Sequence, residues 1–182
     1  MDAFEQIAAR LFEVQGYWTR IGYAVELTKE QKVAVGKHSI PGPQLDVIAY
    51  KPATNVLLVI ECKSYLDSPG VRHAAFHGKD DADKDVFKLF NRAKLREMVL
   101  SCLVAQLRRE GLLHGPDPEV QLVLVAGNVY SKDEPMLRAL FSERGWLFMG
   151  PVEVASGLRK FAGRGYENDL VTFVTKLLER NA

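Results

Sequence analysis

The 182-residue sequence is poor in cysteine, has no long apolar run and carries almost no net charge. Its two cysteines, Cys62 and Cys102, stand far apart inside apolar segments with no C-x-x-C, which argues against a disulfide framework, a zinc knuckle or a redox pair. Both read as buried, reduced thiols. No stretch approaches the roughly 18 to 20 consecutive apolar residues of a membrane-crossing helix. The opening Met-Asp-Ala-Phe-Glu-Gln lacks the basic-then-apolar order of a secretory leader. The expectation is a cytoplasmic chain with no membrane partner. Twenty-four basic residues against 23 acidic leave +1, which removes net charge as an argument for a nucleic-acid partner. G-x-S-x-G, P-loop and G-x-G-x-x-G motifs are also missing, and Gly163-Arg164-Gly165 lacks the later glycine and the preceding strand, so nucleotide-dependent chemistry is disfavoured.

What is present is the balance of a globular domain, 47% apolar beside 26% charged, with no repeat, low-complexity tract or linker. Phe4, Ile7, Ala8, Leu11 and Phe12 recur at helical spacing behind Asp2, so residues 2–15 read as an amphipathic helix stopped at Gly16. Strands are expected from Trp18 to about Leu27 and from Lys32 to about His38. After the Pro41-Gly42-Pro43 turn, Gln44–Tyr50 and Asn55–Ser64 flank a short polar connection and read as a β-hairpin. A long helix follows from about Val86 to Glu110. Val120–Ala126 reads as a buried strand, Asp133–Arg144 as a helix, Trp146–Met149 as a strand and Val154–Phe161 as a short helix. A last amphipathic helix is capped by Asn168 or Asp169. The fold class is α/β: a mixed central sheet flanked by helices in three layers, with the strands at 55–64 and 120–126 parallel across a helical crossover. One domain spans residues 1–182, with a core over about 1–130 and a C-terminal α/β extension over about 131–182.

One constellation carries chemistry. In Val59-Ile60-Glu61-Cys62-Lys63, Glu61 and Lys63 leave the same face of a strand whose preceding residues are apolar, while Cys62 points the other way. Charges there are costly unless they pair, bind a metal or reach solvent. Asp46 begins the neighbouring strand, and with the turn centred near residues 53 and 54 it falls opposite Glu61. Two carboxylates and one lysine therefore converge. Their oxygens suit Mg²⁺, and a lysine beside them can orient or deprotonate water or balance charge on phosphate. The bland alternative is an internal Glu61–Lys63 ion pair.

This pattern of helix, meander, Asp, hairpin, Glu-x-Lys and crossover helix resembles the PD-(D/E)xK nuclease superfamily, over roughly the first 130 residues. The resemblance implies a restriction-endonuclease-like fold and Mg²⁺-dependent endonuclease activity on DNA that leaves a 5′-phosphate, with Mn²⁺ able to substitute. It implies that Asp46 and Glu61 are metal ligands, that the Cys62 backbone carbonyl joins them, and that Lys63 is the catalytic lysine. Leu45 stands where the family pattern has proline. Many members add a glutamate from the first helix; Glu5 borders the apolar face here, while Glu13 points away.

Lys84, Lys88, Arg92 and Arg96 recur every fourth residue, and Val86–Arg109 holds six basic residues and one acid, so a phosphate-contacting stripe is expected, with Arg72 and Lys79 nearby. His73 and His77 have i, i+4 spacing, but spacing fixes no third zinc ligand. Tyr17, Trp18 and Tyr65 are candidates for base stacking, with core packing the simpler reading for Trp18. The expected partners are DNA, recognised by structure or through a protein partner, and a second copy of the chain in a homodimer. The alternative is a nuclease-fold module that binds nucleic acid or protein with little or no catalysis.

Overall fold

The computed structural model describes residues 2–34, 42–76, 86–165 and 167–180. Helix α1 (Ala3–Glu13) starts where Asp2 accepts the Phe4 amide at 2.7 Å and Glu5 reaches back to the Asp2 amide, a capping box. Gly16, at φ +88°, then turns the chain into β1 (Trp18–Ala24).

The strand expected from Lys32 is not formed. Residues Lys29–Ala34 are a short helix, α2. Its cause was in the sequence: Thr28 accepts the Gln31 amide at 3.3 Å while Gln31 accepts the Thr28 amide at 2.8 Å, the reciprocal pairing of an S/T-x-x-E/Q box. The rest of that expected strand, together with Pro41, lies outside the described residues.

The hairpin forms as expected from β2 (Gln44–Lys51) and β3 (Val56–Lys63), in the register Val47↔Ile60 to Lys51↔Val56. The long crossover helix is instead two helices, α3 (Lys88–Asn91) and α4 (Ala93–Arg109), broken by an extended Arg92 at φ −115°, ψ 92°. The break lets Phe87, Leu89 and Phe90 all reach the core, where one helical stripe would expose part of that set. It also frees carbonyls, and the Arg96 guanidinium donates to those of Leu89 (3.0 Å) and Phe90 (3.1 Å).

The chain continues through β4 (Glu119–Ala126), α5 (Glu134–Glu143), β5 (Leu147–Met149), α6 (Pro151–Ala162) and α7 (Leu170–Arg180). The sheet order is β1-β2-β3-β4-β5; β1, β2 and β3 are antiparallel neighbours and β3, β4 and β5 are parallel. Because β5 pairs directly with β4, residues beyond 130 complete the central sheet. Period-two alternation sends Val47, Ala49, Leu58, Ile60 and Cys62 to one face, against Phe4, Ala8, Leu11 and Phe12 of α1 and Val154 and Phe161 of α6. Ile48, Tyr50, Leu57 and Val59 face Leu95, Val99 and Leu103 of α4 and Leu137 and Phe141 of α5. The result is a three-layer α/β arrangement. Cys62 is buried but Cys102 only half-buried, and both thiols are free. Among the described residues no helix is long and apolar enough to cross a membrane.

Candidate active site

The site lies where β2 and β3 separate. Their ladder ends at Val47↔Ile60, and one step further the Cys62 amide donates to Asp46 Oδ2 at 2.8 Å. A side-chain carboxylate therefore satisfies a strand amide that backbone pairing has left behind. The local backbone explains how Asp46 reaches it. Register with β1 (Ile21↔Val47, Tyr23↔Leu45) sets Gly22 opposite Asp46, and Gly22 has φ +65°, a conformation that a β-carbon disfavours. Alternation also breaks there: Leu45 packs with Ile48, whereas Val47 packs on the other face.

Lys63 Nζ approaches Glu61 Oε1 to 2.5 Å and Asp46 Oδ2 to 3.9 Å, with all three side chains about one-quarter exposed or less. Beneath it, Phe87 presents its ring with the centroid 6.0 Å from Nζ. Burial pushes the Glu61 carboxyl up; Lys63 opposes this and Asp46 reinforces it, and the net shift is upward. Burial works to lower the pKa of Lys63, but Glu61 and Asp46 outweigh it and the net shift is upward, which holds the ammonium form. The Cys62 thiol is pushed up by burial and by the negative charges of Asp46, Glu5 and Glu61, so it is an inert neutral group here.

The sequence-expected trio is thus brought together. Glu5 is near enough to act on the Cys62 thiol, while its carboxylate accepts the Asp2 amide at 3.4 Å. Glu13 is exposed and accepts from Thr19 at 2.7 Å. Lys88 lines a cavity of about 190 Å³ with Asp46, Glu61, Leu45 and Leu89, and its charge is a minor influence opposing the upward shift of Glu61. Because the helix is broken at Arg92, the four-cation stripe is not continuous. Arg96 caps carbonyls and stacks over Trp146 at 5.5 Å, and Arg72 stacks over Tyr130 at 4.8 Å. The His73 amide donates to Asp133 at 2.9 Å. His77, Lys79 and Lys84 lie outside the described residues. Trp18 is partly buried against the core, edge-on to Tyr50.

Sequence reasoning missed the support behind Lys63. Asn128 donates to the carbonyls of Tyr65 (3.2 Å) and Ser68 (2.7 Å), Val71 bridges to Val129, and a β-carbon on Gly127 would stand 2.6 Å from the Ser64 carbonyl. The turn after β4 therefore fixes the chain leaving Lys63. Only the Gly127-Asn128 pair at a strand end hints at this in the sequence.

The donor chemistry fits a hard divalent cation in one respect and is lean in another. Two carboxylates and one ammonium leave the trio with a net negative charge in a largely buried place, and its internal contacts use one oxygen of each acid, Asp46 Oδ2 and Glu61 Oε1. Among the described residues, however, no group of three or more His, Cys, Asp or Glu side chains is placed to hold a metal ion. Such a cation would rely on two carboxylates, backbone oxygen and water. Comparison with family models, with curated proteins and with solved structures finds no match to this chain.

Proposed function

We propose that this chain has a restriction-endonuclease-like fold and is a Mg²⁺-dependent deoxyribonuclease of the PD-(D/E)xK type. The observation that carries the reading is the convergence of Asp46, Glu61 and Lys63 at the point where two buried strands part. Asp46 and Glu61 would hold the cation together with the Cys62 carbonyl. When bound, Mg²⁺ lowers the pKa of water and shields the phosphate from the two acids. Lys63, kept as an ammonium by its neighbours, serves as a hydrogen-bond donor and counter-charge beside the scissile phosphate. Lys88, across the small cavity from Glu61, adds positive charge along the phosphate's approach. Hydrolysis breaks the bond from phosphorus to the 3′-oxygen, leaving a 5′-phosphate and a 3′-hydroxyl. Near-neutral net charge points to weak, salt-sensitive DNA binding.

The 2.5 Å Glu61–Lys63 contact favours a second reading, a stable internal ion pair in a non-catalytic module. Supercoiled, linear, branched and single-stranded DNA incubated with Mg²⁺, Mn²⁺ or EDTA separates the two. Metal-dependent cleavage that is lost in Asp46→Asn and Lys63→Ala supports the nuclease. DNA binding with no cleavage of any substrate supports the module.

A further inference from the structure

Helix α7 is mounted with its polar side inward. Thr172 is fully buried: its hydroxyl donates to Asp169 at 2.8 Å and its amide to the same carboxylate at 2.9 Å. The Thr175 hydroxyl returns to the Val171 carbonyl at 2.8 Å. Arg10 of α1 reaches Glu167 at 2.6 Å and Asp169 at 3.4 Å, tying the start of the helix to the domain through charge. Of its apolar residues only Val171 packs on the core; the others face outward, with Leu170 76%, Phe173 59%, Val174 42% and Leu178 67% exposed. Their i, i+3, i+4, i+8 spacing makes one continuous stripe. An amphipathic helix on a domain surface ordinarily does the reverse, so the stripe calls for a cover. Beside it runs a groove of about 540 Å³ between α7 and α1, whose lining includes Ile7, Ile21, Leu158, Val174 and Leu178.

We propose that the cover is a second copy of this chain, with the two α7 helices packed antiparallel about a two-fold axis near Val174. A two-fold contact needs a surface that complements itself, and this one carries both a projecting stripe and an apolar groove. The antiparallel register sets Leu170 of one copy against Leu178 of the other. It also brings Arg180 beside the Asn168-Asp169 start of the opposing helix and aligns the two helix dipoles favourably. Pairing would take the exposed side chains of Leu170, Phe173, Val174 and Leu178 of both copies out of water together. With a formal charge of +1, two copies meet with little electrostatic repulsion. The Asp46–Glu61–Lys63 trio lies with the elements on the opposite face of the sheet, so pairing leaves it open.

Analytical ultracentrifugation of the full chain across the micromolar range tests this without reference to nuclease activity. The expected result is a dimer that Phe173→Glu and Leu178→Glu convert to a monomer with an unchanged far-UV spectrum. In a Cys102→Ser background, Val174→Cys is expected to form an intermolecular disulfide on mild oxidation. A wild-type monomer at all concentrations overturns the proposal, as does a dimer that survives both glutamates or a Val174→Cys chain that does not cross-link. Flotation of a monomeric wild type with phosphatidylcholine–phosphatidylglycerol vesicles, lost in Phe173→Glu, would assign the stripe to a membrane surface and equally overturn it.

Discussion

The Cys62 amide donates to Asp46 Oδ2 at 2.8 Å, so the first acid of the site also completes the hydrogen bonding of the strand that carries the other two groups. Asp46 thus has a structural duty and a proposed metal-binding one, and substitutions separate them. Asp46→Ala leaves the Cys62 amide without its acceptor and should cost about 1–3 kcal/mol. Asp46→Asn keeps an acceptor oxygen and removes the charge. Its thermal midpoint in EDTA should stay near wild type, while any gain in stability on adding Mg²⁺ disappears. Thermal melts of both variants with and without Mg²⁺ check this.

Lys63 neutralises part of two largely buried carboxylates. Lys63→Met leaves them facing each other and should lower stability in EDTA by roughly 1–3 kcal/mol, several degrees in the melting midpoint for a chain of this size. Removing the pair together, as Glu61→Leu with Lys63→Met, should recover much of that loss. A double-mutant cycle measures the coupling, and additivity would show that the 2.5 Å contact contributes nothing.

Arg96 is expected to act on the fold before it acts on any ligand. Arg96→Met removes the donor shared by the Leu89 and Phe90 carbonyls and the stacking on Trp146. It should destabilise the free protein by about 1–2 kcal/mol, with Arg96→Lys a poor rescue because one ammonium does not reproduce the planar fork. Denaturant melts without DNA decide it. Unchanged stability would return Arg96 to a role in phosphate contact.

Acid should loosen α6 from α5. Hydrogen bonding and charge from Arg138 hold the Glu153 carboxyl below its ordinary range, with contacts at 2.8 and 2.9 Å. A depressed folded pKa gives stability that is present above the unfolded value and lost as pH falls through the folded one. Glu153→Gln should therefore melt lower than wild type at neutral pH, with the two curves converging in acid. A gap that persists below the carboxylate range would contradict this.

The sheet and the trio were legible in the sequence because both follow from local rules. Apolar runs of β-branched residues marked β2, β3 and β4, and turn length alone set Asp46 opposite Glu61. The break at Arg92 was not legible. Helical spacing across residues 86–110 is satisfied on paper, and only burial of Phe87, Leu89 and Phe90 together makes an extended residue worth its cost. The helix at Lys29–Ala34 is legible in Thr28 and Gln31, which spell its cap, against the β-branched and apolar residues that follow and favour a strand. The inverted face of α7 was invisible for a different reason. Periodicity reports that a helix has two faces, and the contacts of Arg10 and Thr172 determine which one turns inward.

A crystal of the protein soaked in Mn²⁺ tests the central claim most directly, because the ion's anomalous scattering locates it without reference to activity. The proposal predicts a peak within bonding distance of both Asp46 and Glu61, absent from Glu61→Gln crystals treated alike. A soaked crystal with no peak there, and Lys63 still seated on Glu61, would contradict it and leave the trio as an internal ion pair.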